Sequence, residues 1–221
     1  EASTSFAEDG KRKSVVQYFD GALKSRQTVT KDNITDSTLT AETFYDKQGR
    51  GIIQVLPSPT LSSIIKYTPM FNRAPGGLEY DKEKYDSVAS LYCSGSAVKM
   101  DSSYGTARYY SYNNPNKLNG ISQFLPQAKG YPFTEVKYTQ DNTGRISAQG
   151  GVGQTFQLNS GHETKYYYGT PEQSDIDALF GTEAGYASHY QKNVVRDANG
   201  QYSVSYVDMH GRTVATALAG E

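Results

Sequence analysis

Apolar and polar positions alternate with period two through most of this chain, and the alternation is broken at regular places by the same kind of turn. "YSVSYVD" puts Tyr202, Val204 and Tyr206 on one face and Ser203 and Ser205 on the other. Such a pattern predicts a half-buried strand. "RTVATALAGE" alternates Val214, Thr216 and Leu218 against Thr213, Ala215 and Ala217, and reads as a strand that expects a neighbour. Residues 11–31 and 40–56 read as paired strands around two turns, and a strand is predicted at 64–67 after the Pro/Ser break "LPSPTLSS". From 68 to about 132 the alternation fades into a turn-rich insertion, and it resumes at 133. These shifts divide the chain into hairpins at 1–67, an insertion at 68–132, and a second hairpin segment at 133–221 carrying a short helix.

The turns share one phrase. "FYDKQGRGIIQVLP", "YTQDNTGRISAQGG", "RDANGQYSVSY" and "YVDMHGRTVATAL" pair Asp46 with Gly49, Asp141 with Gly144, Asp197 with Gly200 and Asp208 with Gly211. Arg50, Arg145 and Arg212 follow three of those glycines. Asp favours the first position of a type I turn, where its carboxylate accepts from backbone N–H groups further on. Gly three residues later suits the left-handed position that closes the hairpin. A worn copy, "YFDGALKSRQTV", keeps Asp20 but has Leu23 in the glycine's place. One such turn is common in β proteins; recurrence marks a degenerate internal repeat.

A single helix is readable. In "GTPEQSDIDALFG", Thr170 is the predicted N-cap, Pro171 the first helical residue and Gln173 the partner of a capping box. Ile176, Leu179 and Phe180 form the expected buried stripe, and Gly181 the stop. "GYASHYQKN" (185–193) is a second short helix or turn. The fold class expected is therefore all-β, with one or two short helices, the best at about 171–180.

Composition narrows the chemistry. Hydrophobic residues make up 36% of the 221, and 19 tyrosines carry the aromatic weight, which suits layered sheets whose rings are buried while their hydroxyls find partners. Net charge is −1, so there is no electrostatic footprint for nucleic acid or an anionic membrane, and no apolar stretch is long enough for a membrane span. A lone cysteine, Cys93, offers no intrachain disulfide. It lacks a nucleophile context, and His162, His189 and His210 stand in no recognisable base motif. "GHETKYYYG" has Lys165 and Tyr166 where a zinc site needs a second His. Asp141/Asn142 and Asp197/Asn199 lack the spacing and closing Glu of an EF-hand, and "GGVGQ" lacks the Lys-Ser/Thr of a phosphate loop. No catalytic, cofactor or metal residue is expected. "YGTARYYSYNNPN" could stack its tyrosines on sugar rings or bases, though packing on a neighbouring strand is the plainer role.

The phrase Tyr/Phe-x-Asp-x-x-Gly-Arg resembles the YD repeat of the Rhs family, the bacterial polymorphic-toxin shell proteins. "YFDGALKSRQTVTKDN" with "AETFYDKQGRGIIQVLPSPT" is similar to the N-terminal part of such a protein. So are "YPFTEVKYTQDNTGRISAQGGVGQTFQLNSGHETKYYYGTPEQSDIDALFG" and "TEAGYASHYQKNVVRDANGQYSVSYVDMHGRTVATALAGE"; residues 68–107 match least. The resemblance implies antiparallel hairpins forming part of a curved β shell around a C-terminal toxin made in the same chain. Expected partners are then the rest of the polypeptide, with its downstream YD repeats and toxin cargo, and a secretion or injection apparatus. The expected location is secreted, or delivered by a secretion system. The sequence departs from the whole family pattern in showing no Pro…Asp-Pro plug motif, no self-cleavage aspartate pair and no variable toxin tail, which reads as an early shell segment. Asp46, Gly49, Arg50, Asp141, Gly144, Arg145, Asp197, Gly200, Asp208, Gly211 and Arg212 are assigned the structural role of repeat turns. The other reading is a stand-alone β module that binds carbohydrate or a cell surface through exposed tyrosines.

Overall fold

A computed structural model describes residues 2–7, 10–60, 62–80 and 97–219. The chain divides into two compact units, Glu1–Val136 with Gly151–Gln157, and Lys137–Gly150 with Leu158–Glu221. Strands dominate both: twelve occur among the described residues, with two short α-helices. The expected all-β, antiparallel fold is what forms.

The first unit is built on β1 (Ala2–Ala7), β2 (Gly10–Phe19), β3 (Ser25–Asp32), β4 (Ser37–Tyr45) and β5 (Gly51–Val55), each pairing antiparallel with the next. A two-residue strand, β6 (Ser58–Pro59), lies against β4. β7 (Phe133–Tyr138) returns after the insertion to pair with β5. The sequence reading anticipated β2 to β5. It did not foresee β1, or the β3–β4 turn in which Asp32 accepts from the Ile34 amide at 2.9 Å and Asp36 takes a φ of 47°.

Residues 64–67 are not the strand expected from their apolar run. Side chains capture the local backbone instead. The Ile64 amide donates to Ser62 Oγ at 3.1 Å, and just past the run the Thr68 amide donates to Gln27 Oε1 at 2.8 Å, so side chains take backbone donors at either end of it. Within the insertion lie α1 (Gly105–Tyr109) and a 3-10 turn at Gly120–Phe124. The insertion also supplies core. Tyr80 meets Phe44 edge-on at 5.4 Å and Phe133 at 6.3 Å, and Met100 and Ala107 of the insertion are buried, as are Val29, Ile53 and Val55 of the strands. Burying each large side chain of this kind contributes about 1.5–3 kcal/mol, so the hairpins and the insertion stabilise one another.

The second unit continues through β8 (Ile146–Gly150), β9 (Thr164–Gly169), β10 (Tyr190–Arg196), β11 (Tyr202–Asp208) and β12 (Thr213–Ala219). β9 to β12 again pair antiparallel in chain order. After β8, Gly151–Gly153 bend the chain into a 3-10 turn at Gln154–Phe156. Its helix, α2 (Gln173–Phe180), is where expected, but it begins differently. Glu172, not Thr170, is the N-cap: its side chain accepts from the Asp175 amide while Asp175 accepts from the Glu172 amide. Glu172 keeps an extended ψ of 155°, which leaves Thr170 and Pro171 outside the helix. Gly181 ends it at φ 76°. Only Ile176 of the predicted stripe is buried; Leu179 and Phe180 are 45% and 39% exposed, Phe180 stacking on Tyr190. Ile176 packs with Ala187 and Tyr206 over Val204 and Ala215. The 185–193 segment resolves into a 3-10 turn at Ala187–His189 followed by β10.

Candidate functional site

The recurring phrase is one recurring piece of geometry. In four hairpins a single aspartate oxygen accepts from two backbone amides of its own turn. Asp20 Oδ1 takes the Ala22 and Lys24 amides, Asp46 Oδ1 those of Gln48 and Arg50, Asp197 Oδ1 those of Asn199 and Gln201, and Asp208 Oδ1 those of His210 and Arg212. All eight distances lie between 2.8 and 2.9 Å. The residue three beyond the aspartate takes left-handed φ in each: 57° at Leu23, 75° at Gly49, 89° at Gly200 and 78° at Gly211.

Arginine closes the turn on itself. The second oxygen of Asp46 accepts from Arg50 Nε at 2.7 Å, and that of Asp208 from Arg212 Nε at 2.8 Å. The guanidinium thus folds back onto the turn's own carboxylate, rather than running out along the strand. Lys24 and Gln201 fill this position in the other two copies. Backbone and guanidinium donors both favour the charged carboxylate: the Arg212 amide, then its side chain, hold Asp208 below the usual range, as the Lys24 amide does for Asp20.

A third regularity lies one residue pair beyond the turn. The register slips between Tyr18 and Phe19, between Phe44 and Tyr45, and between Tyr206 and Val207, leaving Arg26, Ile52 and Val214 as the extra residues opposite. Each bulge sits where an aromatic precedes the aspartate by two positions. Phe44 and Tyr206 turn that ring into the core of their units, 2% and 6% exposed. The Asp197 hairpin has Val195 there and pairs without a slip. A bulge re-aims side chains locally, so aromatic, bulge, Asp turn and left-handed residue form one device.

The Asp141 copy departs from this. Its hairpin closes from the Thr139 amide to the Arg145 carbonyl, so it is longer, and Asn142 joins Gly144 in left-handed φ, at 59° and 73°. Asp141 accepts from the Thr139 and Thr143 hydroxyls, which with Arg145 hold its carboxyl far below the usual range. Arg145 also lies over the Tyr168 ring at 4.7 Å.

Elsewhere, exposed His162 lies just before β9, its Nδ1 3.0 Å from the Ala198 carbonyl. Cys93 lies outside the described residues. Among the described residues no group of three or more His, Cys, Asp or Glu is placed to hold a metal, and no helix is long and apolar enough to cross a membrane.

Sequence reasoning missed a cleft of about 550 Å³ in the first unit. Lys66, Phe71, Arg108, Tyr109 and Asn116 line it. Beneath it runs a buried polar network rooted in β3 and β4. Gln27 Nε2 donates to Glu42 Oε1 at 2.9 Å and to the Thr68 carbonyl at 3.0 Å; Asn72 Nδ2 donates to Glu42 Oε2 at 2.7 Å. Asn72 Oδ1 then accepts from the Thr106 amide at 2.9 Å, and Thr106 Oγ1 meets Ser58 Oγ at 2.8 Å. Burial pushes the Glu42 carboxyl up, against the Asn72 and Gln27 donors and the nearby Arg26 charge. Gly105, at φ 48°, passes so close that a Cβ would lie 2.2 Å from the Phe71 carbonyl oxygen. The network fixes the backbone at 68, 72 and 106, and with it the cleft wall. Its signal in the sequence was the isolated polar pair Gln27 and Glu42 within strands, legible only once the insertion's place was known.

Compared with known families and with curated proteins, the chain matches no family model and no curated protein.

Proposed function

We propose that this chain is a non-catalytic structural segment of a large secreted or injected Rhs/YD-repeat protein, whose β shell encloses a C-terminal toxin or effector. The observation that supports it is the shared hairpin device. Four turns use their aspartate in the same way, and three of these carry the same bulge beside the same aromatic position. A repeat whose polar groups are spent on its own backbone is a building unit. Asp46 and Asp208 have both oxygens engaged within the turn, which leaves them poorly suited to act on a substrate.

Strand order favours the shell over a self-contained binding module. Among the described residues β1 pairs with β2 only and β12 with β11 only, and β12 carries no charge or proline along Thr213–Ala219 to discourage a further strand. Its Leu218 side chain is 76% exposed. In this reading the partners are neighbouring hairpins of the same polypeptide, its toxin cargo and a delivery apparatus. Determining the coding sequence that follows Glu221 tests it: further Tyr-Asp hairpins and then a variable tail are expected, whereas an unrelated domain in that place would overturn it.

A further inference from the structure

We propose that the cleft over the Gln27–Glu42–Asn72 network binds an acidic saccharide, a sugar ring bearing a carboxylate. The inference goes beyond the shell reading and does not depend on it.

Four polar groups face this cleft with capacity to spare. Lys66 makes no hydrogen bond or ion pair among the described residues, and Arg108 uses only Nε, on the Asn113 carbonyl at 3.3 Å. The Tyr109 hydroxyl and the Asn116 side-chain amide are likewise uncommitted among the described residues. Asp and Glu are absent from the described lining, so two cations meet no counter-charge there. An anion is the ligand that such a pair recognises, and the guanidinium's planar fork matches a carboxylate.

The rest of the wall speaks for a ring. Phe71 and Tyr109 are half-buried and present aromatic surface, which the apolar C–H face of a pyranose covers while its hydroxyls turn to the amide and phenol. Tyr109 is braced by an edge-on contact with Tyr110 at 4.9 Å, and Asn114 holds the Tyr109 carbonyl at 3.0 Å. The buried network and the close passage of Gly105 fix the wall at Phe71 and Gly105 before a ligand arrives, which lowers the ordering cost of binding.

The test is an NMR titration of the isotope-labelled chain with methyl β-D-glucuronide and with N-acetylneuraminic acid, against methyl β-D-glucoside, glucose 6-phosphate and acetate. We expect saturable shifts confined to Lys66, Phe71, Arg108, Tyr109 and Asn116 with at least one acidic sugar, at a Kd of about 1 mM, and binding at least about tenfold weaker for the neutral glucoside. Lys66→Met and Arg108→Gln, both at exposed positions, should each weaken binding by about tenfold while leaving the spectrum's dispersion intact. Absence of shifts at these residues overturns the proposal. So does acetate binding as tightly as the sugars, a glucoside as tight as the glucuronide, or the phosphorylated sugar binding tighter than either carboxylated one.

Discussion

Leu23 holds in the β2–β3 turn the left-handed backbone that Gly49 holds in the β4–β5 turn, at φ 57° against 75°. The surrounding hydrogen bonds are the same in both: the Leu23 amide donates to Asp20 O at 3.0 Å and the Gly49 amide to Asp46 O at 2.9 Å. A Cβ-bearing residue has therefore been forced into the glycine's conformation by the aspartate and the bulge around it. Left-handed geometry costs such a residue about 1–2 kcal/mol. Leu23 is 82% exposed, so removing its side chain forfeits little packing. Leu23→Gly should stabilise the chain by about 0.5–1 kcal/mol after the extra entropy of glycine is counted. A higher urea midpoint at unchanged slope checks this; a lower one would show that Leu23 packs better than its exposure indicates.

Gly105 is constrained in a different way, by space as well as φ. Gly105→Ala sets a Cβ against the Phe71 carbonyl and Asn72 Oδ1, both parts of the anchored wall. Destabilisation of about 3 kcal/mol is expected, the upper range for overpacking combined with strain. Gly144→Ala, which meets open space, should cost about 1 kcal/mol. Thermal melts of the two variants rank the effects.

For the repeat turn, Asp46 should matter more than Arg50. The ion pair is partly exposed, at 28% and 14%, and such pairs contribute about 0.5 kcal/mol. Loss of Asp46 also frees two backbone amides, so Asp46→Ala should cost about 1–2 kcal/mol against about 0.5 kcal/mol for Arg50→Ala. A double-mutant cycle read by urea denaturation measures the pair directly, and equal single-mutant costs would contradict this ranking.

Acid should weaken the turns. The folded chain holds Asp20, Asp141 and Asp208 below the unfolded value of about 3.9, so their stabilisation is present above that pH and is lost as pH falls through the depressed folded values. Glu42 runs the other way. Burial raises its pKa above the unfolded value of about 4.3, so its contribution is full below that pH and declines as pH rises through the raised value. Urea midpoints between pH 7 and pH 2.5 should fall less steeply for Asp208→Asn than for the wild type. Glu42→Gln removes the titrating group, so the decline on raising the pH above the unfolded value of about 4.3 should be smaller in this variant than in the wild type.

What the residues announced in advance follows from range. Asp46, Gly49, Asp208 and Gly211 could be placed because a turn is settled within five residues, by a carboxylate, its amides and one left-handed φ. The second unit's helix could be placed because Gly181 and the Ile176 position are local signals, yet its N-cap went to Glu172 through a reciprocal bond with Asp175 that competes with Thr170. The bulges at Arg26, Ile52 and Val214 depend on cross-strand pairing, which alternation along one strand does not encode. The cleft depends on contacts such as Gln27 with Thr68 and Glu42 with Asn72, between residues far apart in the chain and alike in nothing but polarity.

The claim that these hairpins are wall, not machine, is tested most directly by electron cryomicroscopy of the full-length product of the gene. The account predicts that Asp20, Asp46, Asp197 and Asp208 turns continue into further antiparallel hairpins with added strands beside β12, and that the resulting wall surrounds density for a separate C-terminal domain. A discrete folded body in which β1 and β12 are covered by loops or helices, with no enclosed domain, would contradict it.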